Sequence, residues 1–215
     1  MAEGDSGVSN LERSAFWIYG VTAMIMREPL GSMLRHAGAA GWSDWQVRVE
    51  LLRTLVVLSF LSRLFLAAGL HFETVYMRSG AGARYPRRSY PVDFLAGLIQ
   101  LLIGVAASTT IAQHPAREGD TPVFTILAGI FLLSDVLWLA ITALLRFSAT
   151  REVATRAAVG AAILAISMVL NVAARAAGTS PVSADLLALI TLLLLTFSDA
   201  AVLIRRYGHL DSVQA

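Results

Sequence analysis

The sequence contains no cysteine and no lysine, and its 17 basic residues other than histidine are all arginine. Without cysteine the chain has no disulfide bond, no thiolate nucleophile and no cysteine-bound metal. Without lysine it cannot form a Schiff base, which excludes covalently bound retinal or pyridoxal phosphate. Any function therefore depends on arginine, carboxylate, histidine, hydroxyl and amide side chains.

Charged residues are also scarce. They make up 15% of the 215 residues, whereas apolar residues make up 56%, against roughly 25% and 45–50% in soluble domains. The mean hydropathy is +0.66, and the apolar residues are concentrated in long uncharged runs, as in a membrane protein. The formal charge of +2 does not indicate nucleic acid binding, because the arginines lie between the apolar runs and not along one helix face.

Recognisable catalytic motifs are absent too. The sequence has no HExxH, GxSxG or P-loop pattern, so we predict no catalytic residue, no cofactor and no metal site. A lipid-active or redox membrane enzyme that uses His71 with Asp93 or Asp199 remains an alternative, although the sequence favours a protein that is not an enzyme.

The apolar runs predict an all-α, polytopic integral membrane protein, because each is close to the length of about 20 residues that a membrane span requires. A single bundle of about six transmembrane helices occupies residues 14–206, between a polar N-terminal tail (1–13) and a short C-terminal tail (207–215). The predicted helices are residues 15–35, 50–77, 92–113, 123–147, 154–176 and 185–205.

The first of these helices is the weakest prediction. Arg27, Glu28 and Pro29 interrupt its apolar stretch after about a dozen residues, which is short of the roughly 20 residues that a span needs. The segment either spans the membrane with a buried ion pair or turns back as a re-entrant segment.

The distribution of arginine predicts the topology. Residues 78–91 contain four arginines and no acid, residues 146–156 contain three arginines and one glutamate, and the last segment opens with Arg205 and Arg206. The alternate connections are poorer in arginine. This alternation follows the positive-inside rule for an even number of spans, so we predict that both termini are cytoplasmic in a bacterial-type inner membrane.

Two buried charges are predicted to pair. Arg63 lies near the middle of the second predicted helix, and Asp135 lies near the middle of the fourth. An unpaired guanidinium in hydrocarbon is very costly, and Asp135 is the acid at matching depth. We predict an Arg63–Asp135 ion pair, which either locks two helices together or acts as a gate.

A second polar group is predicted nearer the cytoplasm. His71 and Glu73 come late in the second helix, Asp93 opens the third, and Asp199 lies about two-thirds of the way along the sixth. Groups of this kind at one depth are typical of proton relays. Alternatively, Glu73 and Asp93 reach interfacial water or the arginine-rich connection. Asp199 has no obvious cationic partner, which makes it the best functional candidate.

The third helix carries a polar stripe. Asp93, Gly97, Gln100, Gly104 and Ser108 recur at spacings of three and four residues, which places them on one helix face. Small residues at this spacing favour close helix packing, whereas a glutamine in hydrocarbon requires a partner. The stripe is either a packing seam or one wall of a polar pathway.

A similar stripe occupies the outer end of the fifth helix. Ser167, Asn171 and Arg175 are spaced by four residues, and the Arg175 side chain is expected to extend to the interface.

These features predict a small integral membrane transporter or channel for a cation or a proton. Asp199 and Asp135 are expected in the path, with Arg63 as their electrostatic partner. The expected partners are the lipid bilayer, a small cation or proton and further copies of the chain, because six short-looped helices leave little room for a pore. One alternative is a non-catalytic membrane subunit or sensor whose buried charges specify packing, and the other is the membrane enzyme.

Overall fold

The computed structural model describes residues 4–72, 90–113, 121–144 and 151–212, and several side chains near the helix ends lie outside the description. The described residues form six α-helices and contain no strand, so the prediction of an all-helical chain is confirmed. The helices are α1 Gly4–Ala40, α2 Trp45–Phe72, α3 Tyr90–Gln113, α4 Thr121–Leu144, α5 Arg151–Ala176 and α6 Pro181–Ser212.

The helix ends differ from the predicted ones. α2 begins at Trp45 and not at residue 50, and α6 begins at Pro181 and not at residue 185. α6 continues to Ser212, so part of the predicted C-terminal tail is helical. The predicted helical residues 73–77 and 145–147 lie outside the described residues.

α1 is one continuous helix from Gly4 to Ala40. Residues 4–13, predicted as a polar tail, are therefore helical. The re-entrant alternative for this segment is wrong, because the helix runs without interruption through Pro29.

A hydrogen bond from α3 allows α1 to continue through Pro29. A proline within a helix cannot donate a hydrogen bond to the carbonyl four residues earlier, which here belongs to Ile25. The hydroxyl of Ser108 on α3 donates to that oxygen at 2.7 Å. A side chain from the neighbouring helix thus satisfies the carbonyl that the proline leaves free, as membrane helices require.

Within the described residues, four helices contain segments that are long and apolar enough to cross a membrane. α4 contains a shorter apolar segment, Ile126–Ile141. Together with the composition, these segments indicate a membrane protein. The four segments are Trp45–Ala68, Phe94–Gln113, Ala154–Ala176 and Pro181–Val202.

Two tight turns join neighbouring helices. α1 ends before Gly41, which has φ of 87°, and the carboxylate of Asp44 then accepts a hydrogen bond from the Gln46 N–H at 2.7 Å to cap α2. α5 ends in a similar turn, in which Gly178 has φ of 80°.

Helices α2 to α6 form a closed ring in which each helix packs against the next and α6 returns to α2, while α1 packs against α2 and α3. α2 is the most enclosed, with 56% of its apolar segment buried against 22–28% for α3, α5 and α6. Phe60 stacks on Phe131 with ring centroids 4.8 Å apart. Since Arg63 and Asp135 also meet three to four residues later on these helices, α2 and α4 run in the same direction.

Candidate functional site

A single guanidinium joins four helices inside the ring. Nη1 of Arg63 donates to Asp135 Oδ2 on α4 at 3.1 Å, and Nε donates to Asp199 Oδ2 on α6 at 2.7 Å. Nη2 donates to the backbone oxygen of Arg156 on α5 at 3.0 Å. The predicted Arg63–Asp135 pair is confirmed, and Arg63 has two further partners that the sequence did not reveal.

Gln100 connects α3 to the same group. Its amide nitrogen donates to Asp135 Oδ1 at 3.0 Å and to Ser134 Oγ at 2.6 Å. Each of the five ring helices therefore contributes at least one hydrogen-bonding group. We call Arg63, Gln100, Ser134, Asp135 and Asp199 the inner polar cluster.

Asp199 does have a cationic partner in the core, so the prediction that it lacks one is wrong. α6 begins at Pro181 and α2 begins at Trp45. Asp199 and Arg63 follow these starts by the same number of residues. His71 follows Arg63 by two turns, or about 12 Å. Asp199 therefore belongs to the depth of Arg63 and not to that of His71.

Burial separates the members of the cluster. The side chains of Arg63 and Asp135 are 3% and 4% exposed, whereas that of Asp199 is 13% exposed. Removing such charges from water costs several kcal/mol per ion unless hydrogen bonds compensate. Arg63 meets this condition because all three of its nitrogens donate. Of the two acids, Asp199 keeps the larger exposed fraction.

A glycine allows α5 to approach the cluster. A Cβ atom at Gly160 would lie 2.7 Å from the backbone oxygen of Leu132 and 3.6 Å from Nη2 of Arg63, so only glycine permits this distance between α4 and α5. The close approach brings the carbonyl of Arg156 within reach of Arg63.

The carbonyl of Arg156 faces the inner polar cluster, whereas its guanidinium lies at a cavity beside the cluster. Its Cζ atom lies over the ring of Trp138, 5.2 Å from the centroid. Both side chains, with Gln100, line a cavity of about 300 Å³ bounded by residues of α2, α3, α4 and α5. Gln100 is thus shared between the cavity and the inner polar cluster.

The apolar core lies on one side of the cluster. Along α2 and α4, Leu61, Phe60, Phe131 and Leu132 precede Arg63 and Asp135 and are all nearly fully buried. The same order holds in α6, where Leu192 and Thr196 precede Asp199. The inner polar cluster is therefore closed by apolar packing toward the starts of α2, α4 and α6.

The remaining predicted site residues are only partly described. His71 belongs to α2 and Asp93 to α3, but their side chains lie outside the described residues, as does Glu73 altogether. The predicted grouping of these three residues stays a prediction.

The polar stripe of α3 is a packing seam in part, and its role as a pathway wall stays a prediction. Gly104 and Ser108 form a packing seam, because a Cβ at Gly104 would lie 3.0 Å from Leu61 and Ser108 bonds to α1. Gln100 instead belongs to the inner polar cluster, and Gly97 lines the cavity.

The stripe of α5 ends in a second ion pair. Arg175 Nη2 donates to Asp185 Oδ1 at 2.8 Å, and Asn171 donates to the same oxygen at 3.1 Å. The Arg175 side chain is 47% exposed while that of Asp185 is 8% exposed. We call these three residues the outer pair site.

Metal binding finds no support among the described residues, because no three histidine, aspartate or glutamate side chains there form a group that could hold an ion. Comparisons of the chain with protein-family models, curated proteins and solved structures find no significant match. A function for the cluster therefore has to follow from its geometry and chemistry.

Proposed function

We propose that the protein is a small multi-pass membrane transporter or channel for a proton or a small cation, with the inner polar cluster in the ion path. Asp199 is the group that exchanges the ion, and Asp135 and Arg63 form its fixed electrostatic surroundings. Ionisable groups within membrane segments are rare and mark ion pathways and proton relays.

The observation that carries the proposal is the sharing of one guanidinium by two carboxylates. The three groups carry a net charge of −1 when all are ionised. In an apolar interior this excess charge attracts a proton or a cation, because Coulomb interactions there are several times stronger than in water.

The unequal burial of the two acids assigns their roles. Asp135 bonds to both Arg63 and Gln100 and is almost fully enclosed, so it is held in place. Asp199 makes its bond to Arg63 through a single carboxylate oxygen and keeps three times the exposure. An ion reaching the cluster meets Asp199 first.

The apolar layer favours a carrier over an open pore. Phe60 and Phe131 stack beside the cluster, with Leu61 and Leu132 fully enclosed around them, and no wide aqueous path crosses such packing. Ion passage then requires a rearrangement that opens this layer, as in alternating access.

The proposed setting is a bacterial-type inner membrane crossed six times, with both termini in the cytoplasm. Arginine-rich connections support this topology. Association of several copies is also proposed, since apolar packing closes the inner polar cluster toward the starts of α2, α4 and α6.

Asp199→Asn tests the proposal in purified protein reconstituted into vesicles that contain a pH-sensitive dye. An amide oxygen at this position still accepts the bond from Arg63, so the fold is kept while the exchangeable charge is lost. We expect ion-driven proton flux to fall about tenfold or more, which corresponds to roughly 1.4 kcal/mol in the barrier. Separate sodium, potassium and proton gradients identify the ion.

Asp185→Asn is the matched control, because it makes the same chemical change on the same helix outside the cluster. It should leave flux near the wild-type level. If Asp199→Asn transports as fast as the wild-type protein, or if both variants lose flux equally, the proposal is wrong.

A non-catalytic membrane subunit or sensor is the second candidate. It is favoured by the full use of the Arg63 nitrogens, which tie α4, α5 and α6 to α2 and would by themselves specify packing. For this function Asp199→Asn would lower the free energy of unfolding, and the wild-type protein would show no flux. The enzyme alternative depends on His71, whose side chain lies outside the described residues.

A further inference from the structure

Two threonine hydroxyls in the apolar interior have no hydrogen-bond partner. Thr54 of α2 and Thr196 of α6 are 1% and 0% exposed, and neither hydroxyl forms a hydrogen bond. Other hydroxyls in these helices, such as that of Thr191 on α6, donate to a backbone oxygen one turn earlier. A buried hydroxyl without a partner costs about 1–3 kcal/mol, and a valine of the same shape would avoid this cost.

Thr196 lies directly beside the inner polar cluster. It precedes Asp199 by three residues on α6, and residues at this spacing are neighbours on one helix face, with Cβ atoms about 5–6 Å apart. Thr196 also lies within the apolar packing that closes the cluster, as does Leu192 one turn earlier. Thr54 is farther away, because it precedes Arg63 by nine residues, which is about 14 Å along α2 and half a turn around it. Thr196 is thus the hydroxyl within reach of Asp199.

The free oxygens at this point suit a proton better than a metal cation. Within the described part of the chain, neither Oδ1 of Asp199 nor Oγ1 of Thr196 forms a hydrogen bond. A dehydrated metal cation needs a set of several oxygen ligands, as in the filters of cation channels, whereas a proton needs one oxygen at a time. No three acidic or histidine side chains among the described residues form a group that could hold a metal ion.

We propose that the transported ion is a proton and that Thr196 passes it between Asp199 and water within the apolar layer. This inference rests on the proposed transport function and names its substrate. When the layer opens and water enters, the O–H bond of protonated Asp199 breaks and the proton bonds to the oxygen of Thr196. The hydroxyl releases its own proton to water in the same step, so Thr196 is unchanged and Asp199 is again a carboxylate. A hydroxyl suits this step because it both accepts and donates.

Thr196→Val tests the relay in vesicles that contain the reconstituted protein and a pH-sensitive dye. Valine has the shape of threonine and removes a hydroxyl that has no partner, so the free energy of unfolding should stay the same or rise. Proton flux should nevertheless fall about tenfold or more, because a proton-transfer step slows when its transfer group is lost. Thr196→Ser keeps the hydroxyl and should keep most of the flux.

Thr54→Val is the matched control. It makes the same chemical change at an equally enclosed hydroxyl that also lacks a partner, but on a different helix and away from Asp199. It should leave proton flux near the wild-type level. Equal losses of flux in Thr54→Val and Thr196→Val overturn the relay.

Replacing the metal cations tests the identity of the ion in the wild-type protein. Sodium and potassium are exchanged for N-methylglucamine, an organic cation, on both sides of the vesicle membrane. A pH gradient alone should then drive the same proton flux as before. Flux that requires sodium or potassium overturns the proposal.

The outcomes separate the relay from the proposed function. If the wild-type protein carries no ion flux, the proposed function is wrong and the relay is wrong with it. If Asp199→Asn lowers the flux but Thr196→Val transports protons as fast as the wild-type protein, only the relay is wrong and the proposed function stands.

Discussion

The two arginine–aspartate sites on α6 use the same chemistry in different surroundings. Asp185 and Asp199 are about 21 Å apart along the helix at 1.5 Å per residue, and both acids are largely buried. Their arginines differ, since the side chain of Arg63 is 3% exposed and that of Arg175 is 47% exposed. Arg175 reaches the surface and bonds to one acid, whereas the enclosed Arg63 bonds to two acids and a carbonyl.

The difference in exposure indicates how much each ion pair contributes to the free energy of unfolding. Losing a half-exposed arginine costs less than losing a buried one when the remaining acid keeps another donor, as Asp185 keeps Asn171. Removing one partner of a buried pair is strongly destabilising, because the other charge is left buried without a partner or solvent. The depth of the cation, more than the distance to its acid, separates the two sites.

Removing each arginine is the strongest test of this comparison. Arg63→Met leaves two enclosed carboxylates without a cation and should lower the free energy of unfolding by about 3–5 kcal/mol. Arg175→Met should cost less than Arg63→Met, since it leaves one acid without its cation and Asn171 still donates to that acid, Asp185. Denaturant unfolding in detergent micelles measures both values. Equal losses would mean that burial does not distinguish the sites.

Exchanging charges tests whether Arg63 and Asp135 form a self-contained pair. From the sequence alone, Arg63→Asp combined with Asp135→Arg should restore folding. In the structure the exchange places a carboxylate at position 63 against Asp199, and like charges repel. We expect the double variant to give a several-fold lower folded yield than the wild-type protein.

Adding Asp199→Asn to the exchanged pair should recover most of that yield, as measured by size-exclusion chromatography in detergent. Full recovery without this third change would contradict the shared position of Arg63 between two acids.

A smaller loss of stability is expected from replacing Gly160, the glycine that allows α5 to approach the inner polar cluster. Gly160→Ala places a Cβ against the Leu132 oxygen, 2.7 Å away, and should cost about 1–3 kcal/mol through overpacking. Gly38→Ala meets no atom within 4 Å and should stabilise α1 by up to about 1 kcal/mol through helix propensity. Thermal unfolding of both variants in one detergent gives the comparison. A stabilising Gly160→Ala would show that α4 and α5 are not in close contact there.

Part of the inner polar cluster was predictable because hydrocarbon permits few solutions for a buried charge. Arg63 requires an acid at its own depth, and Asp135 satisfied that requirement on sequence position alone. A fraction of each predicted helix measures depth poorly, since these helices differ in length, and on that scale Asp199 lies apart from Arg63. Counted from the outer ends of the predicted helices, residues 50 and 185, the two residues already lie at nearly equal depth.

Other features gave no usable signal in the sequence. Nothing distinguishes Gly160 from the other glycines before the neighbour of α5 is known, and a backbone carbonyl such as that of Arg156 has no signature at all. The sequence likewise does not indicate that Asn171 and Arg175 share the carboxylate of Asp185.

The sequence by itself determined the helices, the membrane class and the need of Arg63 for an acid, because these follow from hydropathy, chain length and the cost of an unpaired charge. Only the tertiary structure decided that Arg63 serves Asp135 and Asp199 together and that Gln100 joins this cluster to a cavity. Rotation about each helix axis and the spacing between helices set those contacts, and both depend on side-chain packing across the whole ring.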